Sequence, residues 1–259
     1  MSSNPYAAPK AAVADATTAT QGNFVPGGRS VTAGHGWTWV VDAWNLFKRQ
    51  PGIWIGTVIV FFLIMIALAF IPLLGSLAGF LVGPVFTAGF VYASRELEAG
   101  REMELGHLFA GFRERFGTLV AVGALYLAAS VIAALVAALF TGASAWVLLG
   151  GNPDPATPGS AAITILLGAL VMLALLLPVF MAIWFAPQLV MFHEYGAPQA
   201  MRDSFFACLK NIVPFLVYGV VVLLLALVAT IPIGLGWFVL LPVIFASVYT
   251  SYRGVFFTT

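Results

Sequence analysis

Phe61-Phe62-Leu63-Ile64-Met65-Ile66-Ala67-Leu68-Ala69-Phe70 carries no polar side chain in ten consecutive positions. On the insertion scale each central Leu, Ile, Phe or Val returns about 0.3–0.6 kcal/mol, while one Lys, Arg or Asp costs about 2.5–3.5 kcal/mol. The stretch therefore reads as the middle of a transmembrane helix. Its apolar run extends over residues 52–74, and further runs cover 75–96, 117–140, 161–192, 213–233 and 235–256. Each reaches the roughly 20 residues needed to cross the hydrocarbon core. The fourth is longer than a crossing needs, so it should tilt, kink at Pro178 or Pro187, or project from the bilayer.

Outside these runs, or at their margins, lie all eleven Lys and Arg residues: Lys10, Arg29, Lys48, Arg49, Arg95, Arg101, Arg113, Arg115, Arg202, Lys210 and Arg253. Six crossings place every one of them on the same side, which the positive-inside rule makes the cytoplasm, with both termini. The expected fold is an all-α integral membrane protein of the inner membrane.

Composition agrees. Of 259 residues, 61% are hydrophobic and 8% charged, with mean hydropathy +1.02; a soluble domain carries roughly 25% charged residues. The net charge is +1, and nine of the ten acids share segments with the cations, Asp154 alone lying opposite. That balance argues against nucleic acid as a partner. Cys208 is the single cysteine, so no internal disulfide forms. Residues 1–33 hold no apolar signal core and read as a disordered cytoplasmic tail, which leaves the first span as the insertion signal. The domain boundaries follow as a tail at 1–35 and a membrane domain at 36–259.

The outer connections at 71–76 and 230–236 are short and uncharged, which predicts helical hairpins; the one at 141–160 contains Gly150-Gly151-Asn152-Pro153-Asp154-Pro155, a cluster of turn formers. Before the first, third and fifth spans runs a stripe of helical spacing: Trp37, Val40, Val41, Trp44, Phe47; Leu105, Leu108, Phe109, Phe112, Phe116; and Met201, Phe205, Cys208, Leu209, Ile212. The second span of each pair holds Pro84-Val85-Phe86, Pro178-Val179-Phe180 or Pro242-Val243-Ile244. The repetition predicts three parallel units, 36–98, 99–193 and 194–259, each a cytoplasmic interfacial amphipathic helix followed by a transmembrane hairpin.

Gly75, Gly79 and Gly83 recur at four-residue intervals and would let a neighbouring helix approach closely, inside the bundle or between copies in a homo-oligomer. Trp37, Trp39, Trp44 and Trp54 cluster where the first interfacial helix meets the first span and read as a headgroup-level anchor, with Trp146 and Trp237 on the opposite face.

Signals of chemistry are weak. The spans hold no ionisable residue beyond one margin, which argues against proton relays, ion paths and intramembrane hydrolysis. His193-Glu194-Tyr195-Gly196-Ala197 has Ala197 where a zinc-protease helix needs its second histidine, and Gly142-Ala143-Ser144-Ala145-Trp146 lacks the second glycine of a nucleophile elbow. His35, His107 and His193 show no metal-binding spacing. No catalytic residue, metal or cofactor is expected. In the tail, Asn4-Pro5-Tyr6 with Pro9 forms an island suited to a short docking motif.

Asn4-Pro5-Tyr6-Ala7-Ala8-Pro9, Gly27-Gly28-Arg29, Gly106-His107-Leu108-Phe109-Ala110-Gly111-Phe112 and Trp184-Phe185-Ala186-Pro187 together resemble an uncharacterised family of six-helix proteobacterial inner-membrane proteins. A looser similarity, in residues 200–210 and in Tyr249-Thr250-Ser251-Tyr252-Arg253, points to the membrane domains of some glycerophosphodiester phosphodiesterases. The resemblance implies no activity, and the phosphodiesterase domain itself is missing. Three functions follow as expectations. The first is a non-enzymatic accessory or scaffold subunit, contacting another membrane protein or a cytoplasmic partner through its tail. The second is a carrier or channel for a small neutral or apolar solute, lined by Thr87, Tyr92, Tyr126, Ser130, Gln188, Tyr218 or Thr230. The third is a lipid-handling protein.

Overall fold

A computed structural model describes residues 22–71, 74–149 and 158–258. Its helices are α1 (His35–Phe47), α2 (Pro51–Ala69), α3 (Leu74–Glu98), α4 (Ala110–Glu114), α5 (Phe116–Leu149), α6 (Pro158–Trp184), α7 (Ala186–His193), α8 (Ala197–Lys210), α9 (Ile212–Thr230) and α10 (Trp237–Phe256), with a 3-10 turn at Leu105–Phe109 before α4. Among the described residues six stretches are long and apolar enough to cross a membrane: Pro51–Ala69, Leu77–Glu98, Phe116–Leu139, Leu166–His193, Ile212–Thr230 and Trp237–Phe256. They match the sequence-derived spans to within a few residues. The turn formers at 150–157 and the tail at 1–21 lie outside the described residues.

Local chemistry sets the helix ends. Pro51 opens α2 and Pro198 stands in the first turn of α8, where a missing N–H costs no helical bond. The chain leaves α3 through Gly100 at φ 77° and leaves α7 through Glu194 at φ 58°.

The fourth span breaks at Phe185, between the two prolines expected to bend it. Pro187 provides no N–H, and its ring crowds the carbonyl four residues back. Ser204 of α8 fills the gap: its hydroxyl donates to the Met181 carbonyl at 2.7 Å and accepts the Phe185 N–H at 2.9 Å. One side chain thus replaces the helical bond that would have joined Phe185 to Met181. Pro178 stays inside α6 without ending it.

Polar side chains share the buried faces with apolar ones. Along α10, Ser247, Tyr249, Thr250, Ser251 and Tyr252 are all buried. The Ser247 hydroxyl meets Tyr218 of α9 at 2.7 Å, Thr250 donates to the Trp39 carbonyl of α1 at 2.7 Å, and Ser251 accepts from Trp184 of α6 at 3.3 Å. Tyr249 donates to Glu98 of α3 at 2.5 Å, and Tyr252 meets His193 of α7 at 2.5 Å. In hydrocarbon an unpaired hydroxyl finds no water, so these groups turn inward.

Burial corrects the tryptophan reading at two of its four positions. Trp39 and Trp54 do not reach a headgroup layer; they are 1% and 0% exposed. Trp39 packs against Phe215 and Tyr218, and Trp54 stacks on Phe90. Trp37 and Trp44 are exposed, as an anchor requires. The buried face of α1 is Gly36, Trp39, Val40, Ala43, Leu46 and Phe47, while Trp37, Val41 and Trp44 border an open groove beside α9 and α10. Gly36 lets α1 touch α9: a Cβ there would lie 2.2 Å from the Pro214 carbonyl oxygen. On α8 the buried residues are the small Ala197, Ala200, Ser204, Ala207 and Cys208. The stripe before the third span is not one helix but the 3-10 turn and α4.

The segment expected to be disordered up to residue 35 is tied down from Asn23 onward. Phe24 bridges Phe257, Val25 N–H donates to the Phe256 carbonyl at 2.7 Å, and Arg29 N–H to Val255 at 2.9 Å. Gly27 and Gly28, at φ 73° and 69°, turn the chain so that both carbonyls accept from Lys210 Nζ. Asn211, fully buried, completes the staple by accepting from Val31 N–H and donating to Arg29 and Ala207 carbonyls.

Candidate functional site

Among the described residues the charged side chains gather at one end of the bundle, where most serve as internal ties. Glu98 accepts from both Arg253 and Tyr249, Arg101 grips Glu96, and Arg115 pairs with Glu194. Arg49 Nη1 donates to the Leu97 carbonyl at 2.5 Å, and Gln50 accepts Met103 N–H at 2.8 Å, closing α3 against the start of α2. Arg95 lies 4.3 Å from the Phe192 ring centre, a cation–π contact between α3 and α7.

Beside these ties opens a polar chamber of about 750 Å³. Its wall carries three guanidinium groups, Arg29, Arg49 and Arg253, and two carboxylates, Asp42 and Glu98, with His35 near the rim. Each element contributes by its own logic. The Gly27–Gly28 turn brings in Arg29, whose Nε donates to the Gly254 carbonyl at 3.1 Å. The outer side of α1 supplies His35 and Asp42, and the end of α10 supplies Arg253. Among the described residues, Arg29, Arg49 and Asp42 form no ion pair. Two donors in the wall, Trp39 Nε1 and Arg253 Nε, are buried without a hydrogen-bond partner. Burial, and after it the Glu98 carboxylate, holds the Asp42 carboxyl above the usual carboxylate range, with His35 pulling the other way.

Across α1 lies a groove of opposite character. It measures about 500 Å³, is almost wholly apolar, and runs between α9 and α10 with Trp37 and Trp44 at one end and Pro232 and Gly236 at the other. A third cavity, about 520 Å³, sits among the spans and is lined by Gly79, Gly83, Thr87, Tyr126 and Trp184 among others.

This cavity locates the glycines. A Cβ on Gly75 would lie 2.0 Å from the Leu68 carbonyl oxygen, Gly79 faces Met65, and Gly83 opens into the cavity. Gly75 and Gly79 thus serve the packing of α3 on α2, and Gly83 does not. Of the hydroxyl and amide side chains considered for a solute path, Thr87 and Tyr126 share this cavity. Thr87 bonds back to Gly83, Thr230 bonds back to Ala226, and Gln188 donates to the Trp184 and Val248 carbonyls. They form no continuous lining.

The histidines have separate local duties. His35 Nδ1 meets Thr32, His107 Nδ1 accepts from Glu104 N–H at 3.2 Å, and His193 stacks on Phe24 with ring centres 3.6 Å apart. Among the described residues no group of three or more His, Cys, Asp or Glu side chains is placed to hold a metal. Burial pushes the Cys208 thiol well above its ordinary range, which disfavours the thiolate. Asn4, Pro5 and Tyr6 lie outside the described residues.

Sequence reasoning missed Arg29, Ser204 and Asn211. Each acts across more than eighteen residues of chain, on a partner that no periodicity reveals.

Six apolar crossings and one charged end define a multi-pass integral membrane protein. Residues 70–151 match the family described as "Predicted integral membrane protein (DUF2189)". Over 87% of its length the chain is also 29% identical to a "probable inner membrane protein" of Burkholderia thailandensis, covering 92% of that protein. No solved structure matches. The chain is an integral, multi-pass protein of the inner membrane, in contact with the lipid bilayer.

Proposed function

We propose that this is a non-enzymatic accessory or organising protein of the inner membrane. Its charged end is the working surface and lies in the cytoplasm together with both chain ends. The observation that carries this reading is how the charges are used. Arg253, Glu98, Arg115, Glu194, Lys210 and Arg49 tie distant elements into one rigid end, and none projects into the spans as a proton or ion path would need. The six-span bundle then serves to hold that surface at the membrane. The test is gentle extraction of the full chain from its own membrane followed by native mass spectrometry. A stoichiometric protein partner, lost when residues 1–21 are deleted or when the charged end is altered, is the expected result. A partner-free chain under all gentle conditions overturns the accessory role.

The chamber favours a second reading, lipid handling. Polar and apolar hollows flank α1, with exposed Trp37 and Trp44 on the apolar side. That is the arrangement an amphiphile would meet at a membrane surface. Reporter fusions at both ends test the orientation: activity of a cytoplasm-specific reporter at each end is expected, and periplasmic activity at either end overturns it.

A further inference from the structure

We infer that the chamber between α1, α3 and α10 is a binding site for a phosphate group, borne either by an anionic phospholipid or by a free phosphate compound; this rests on the lipid-handling reading and names its ligand chemistry. Arg253 is already neutralised by Glu98, which it shares with Tyr249. Arg29 and Arg49 each spend one N–H on a backbone carbonyl, Gly254 and Leu97 respectively, and form no ion pair among the described residues. Such an anchor fixes a guanidinium in place while leaving most of its donor fork free, which is how arginine recognises phosphate oxygens. Asp42, exposed on α1, is the counter-charge and forms no ion pair among the described residues.

The wall also has a surplus of donors. Trp39 Nε1 and Arg253 Nε are buried and unpartnered, and an indole or guanidinium nitrogen can only donate. Buried donors left without acceptors are rare in folded proteins. Both atoms are shut off from the open space of the chamber, Trp39 Nε1 beneath Gly254, so an oxyanion reaches them only after a shift of the wall, and the forks of Arg29 and Arg49 carry the recognition. The chamber's volume, about 750 Å³, admits a phosphate with its ester substituents. The wall is made by segments far apart in sequence, so the site exists only in the folded chain. Arg29 arrives through the Gly27–Gly28 turn and the Asn211 staple.

The experiment uses the purified full chain in phosphatidylcholine nanodiscs. Inorganic phosphate is titrated calorimetrically, and phosphatidylglycerol retained after exchange is counted by native mass spectrometry. Arg29→Gln and Arg49→Gln are each expected to weaken binding at least about tenfold, and Lys48→Gln, which removes a neighbouring cation outside the chamber, by less than about twofold. Arg49→Lys keeps the charge, guards against misfolding, and should still lose affinity because the fork is gone. Binding of phosphate alone assigns a free phosphate compound, and binding of phosphatidylglycerol alone assigns the headgroup; both support the site. Lipid retained equally by the Arg variants, or lost equally with Lys48→Gln, overturns the site and leaves lipid handling standing. If neither probe binds, both fall.

Discussion

α9 and α10 are consecutive, similar in length and both apolar enough to cross the bilayer, yet 17% of one span is buried and 56% of the other. The more apolar of the two, α9, is the more exposed. Along α9 the large leucines Leu216 and Leu223 are 64% and 59% exposed. Its Thr230 spends its hydroxyl on its own helix. Along α10 the hydroxyls and the arginine reach α1, α3, α6, α7 and α9. In water the apolar stripe identifies the inner face. In a membrane the lipid accepts leucine as readily as the core does, and polar side chains identify the inner face instead.

The comparison is broken hardest where a polar group performs a backbone's duty. Ser204→Ala leaves the Met181 carbonyl and the Phe185 N–H buried and unpaired, while Pro187 prevents the helix from simply reclosing. A loss of roughly 2–4 kcal/mol is expected in reversible unfolding from mild detergent, with Thr in place of Ser recovering much of it. A neutral result would mean that α6 and α7 are one straight helix.

Next in size is Gly36→Ala, whose methyl would meet the Pro214 carbonyl and the Tyr218 amide at the α1–α9 contact. The expected cost is about 1–3 kcal/mol. Because α1 forms one wall of the chamber, any phosphate binding should weaken in parallel.

Asp42→Asn sharpens the account from the other direction. A carboxyl held above its usual range by burial penalises the folded state while it is ionised, that is, above its raised value. The penalty fades as the pH falls through that value, where the folded state takes up its proton first. The substitution should therefore stabilise the protein at neutral pH, by less than about 1 kcal/mol after solvent screening, and the gain should vanish in acid. Thermal unfolding at two pH values checks both signs. Smallest of all is Leu223→Ala on α9, which exchanges one lipid contact for another and should change stability by less than about 0.5 kcal/mol.

How much of this was legible in the sequence differs between the two kinds of structure. Span positions were readable because insertion depends on summed composition, and Phe61–Phe70 leaves no choice. Pro187 announced the break in the fourth span, though not the serine that completes it. Faces were read less well. Trp37, Trp39 and Trp44 were read together as a headgroup-level anchor from their position, whereas Trp39, with Ala43, fills the core. Trp54 was misread for the same reason, since position near a span end does not say which way an indole points. Arg29 could not be placed, because its role needs the Gly27–Gly28 turn, Asn211 and the end of α10 at once.

The claim that polar groups define the inner face is tested most directly by oxygen accessibility of spin labels in lipid bilayers. Single cysteines would be placed at Leu223 and Leu216 on α9 and at Ser247 and Ser251 on α10, in a Cys208→Ala background. The account predicts high collision rates with dissolved oxygen at both α9 sites and low rates at both α10 sites. Equal rates on the two helices would contradict it.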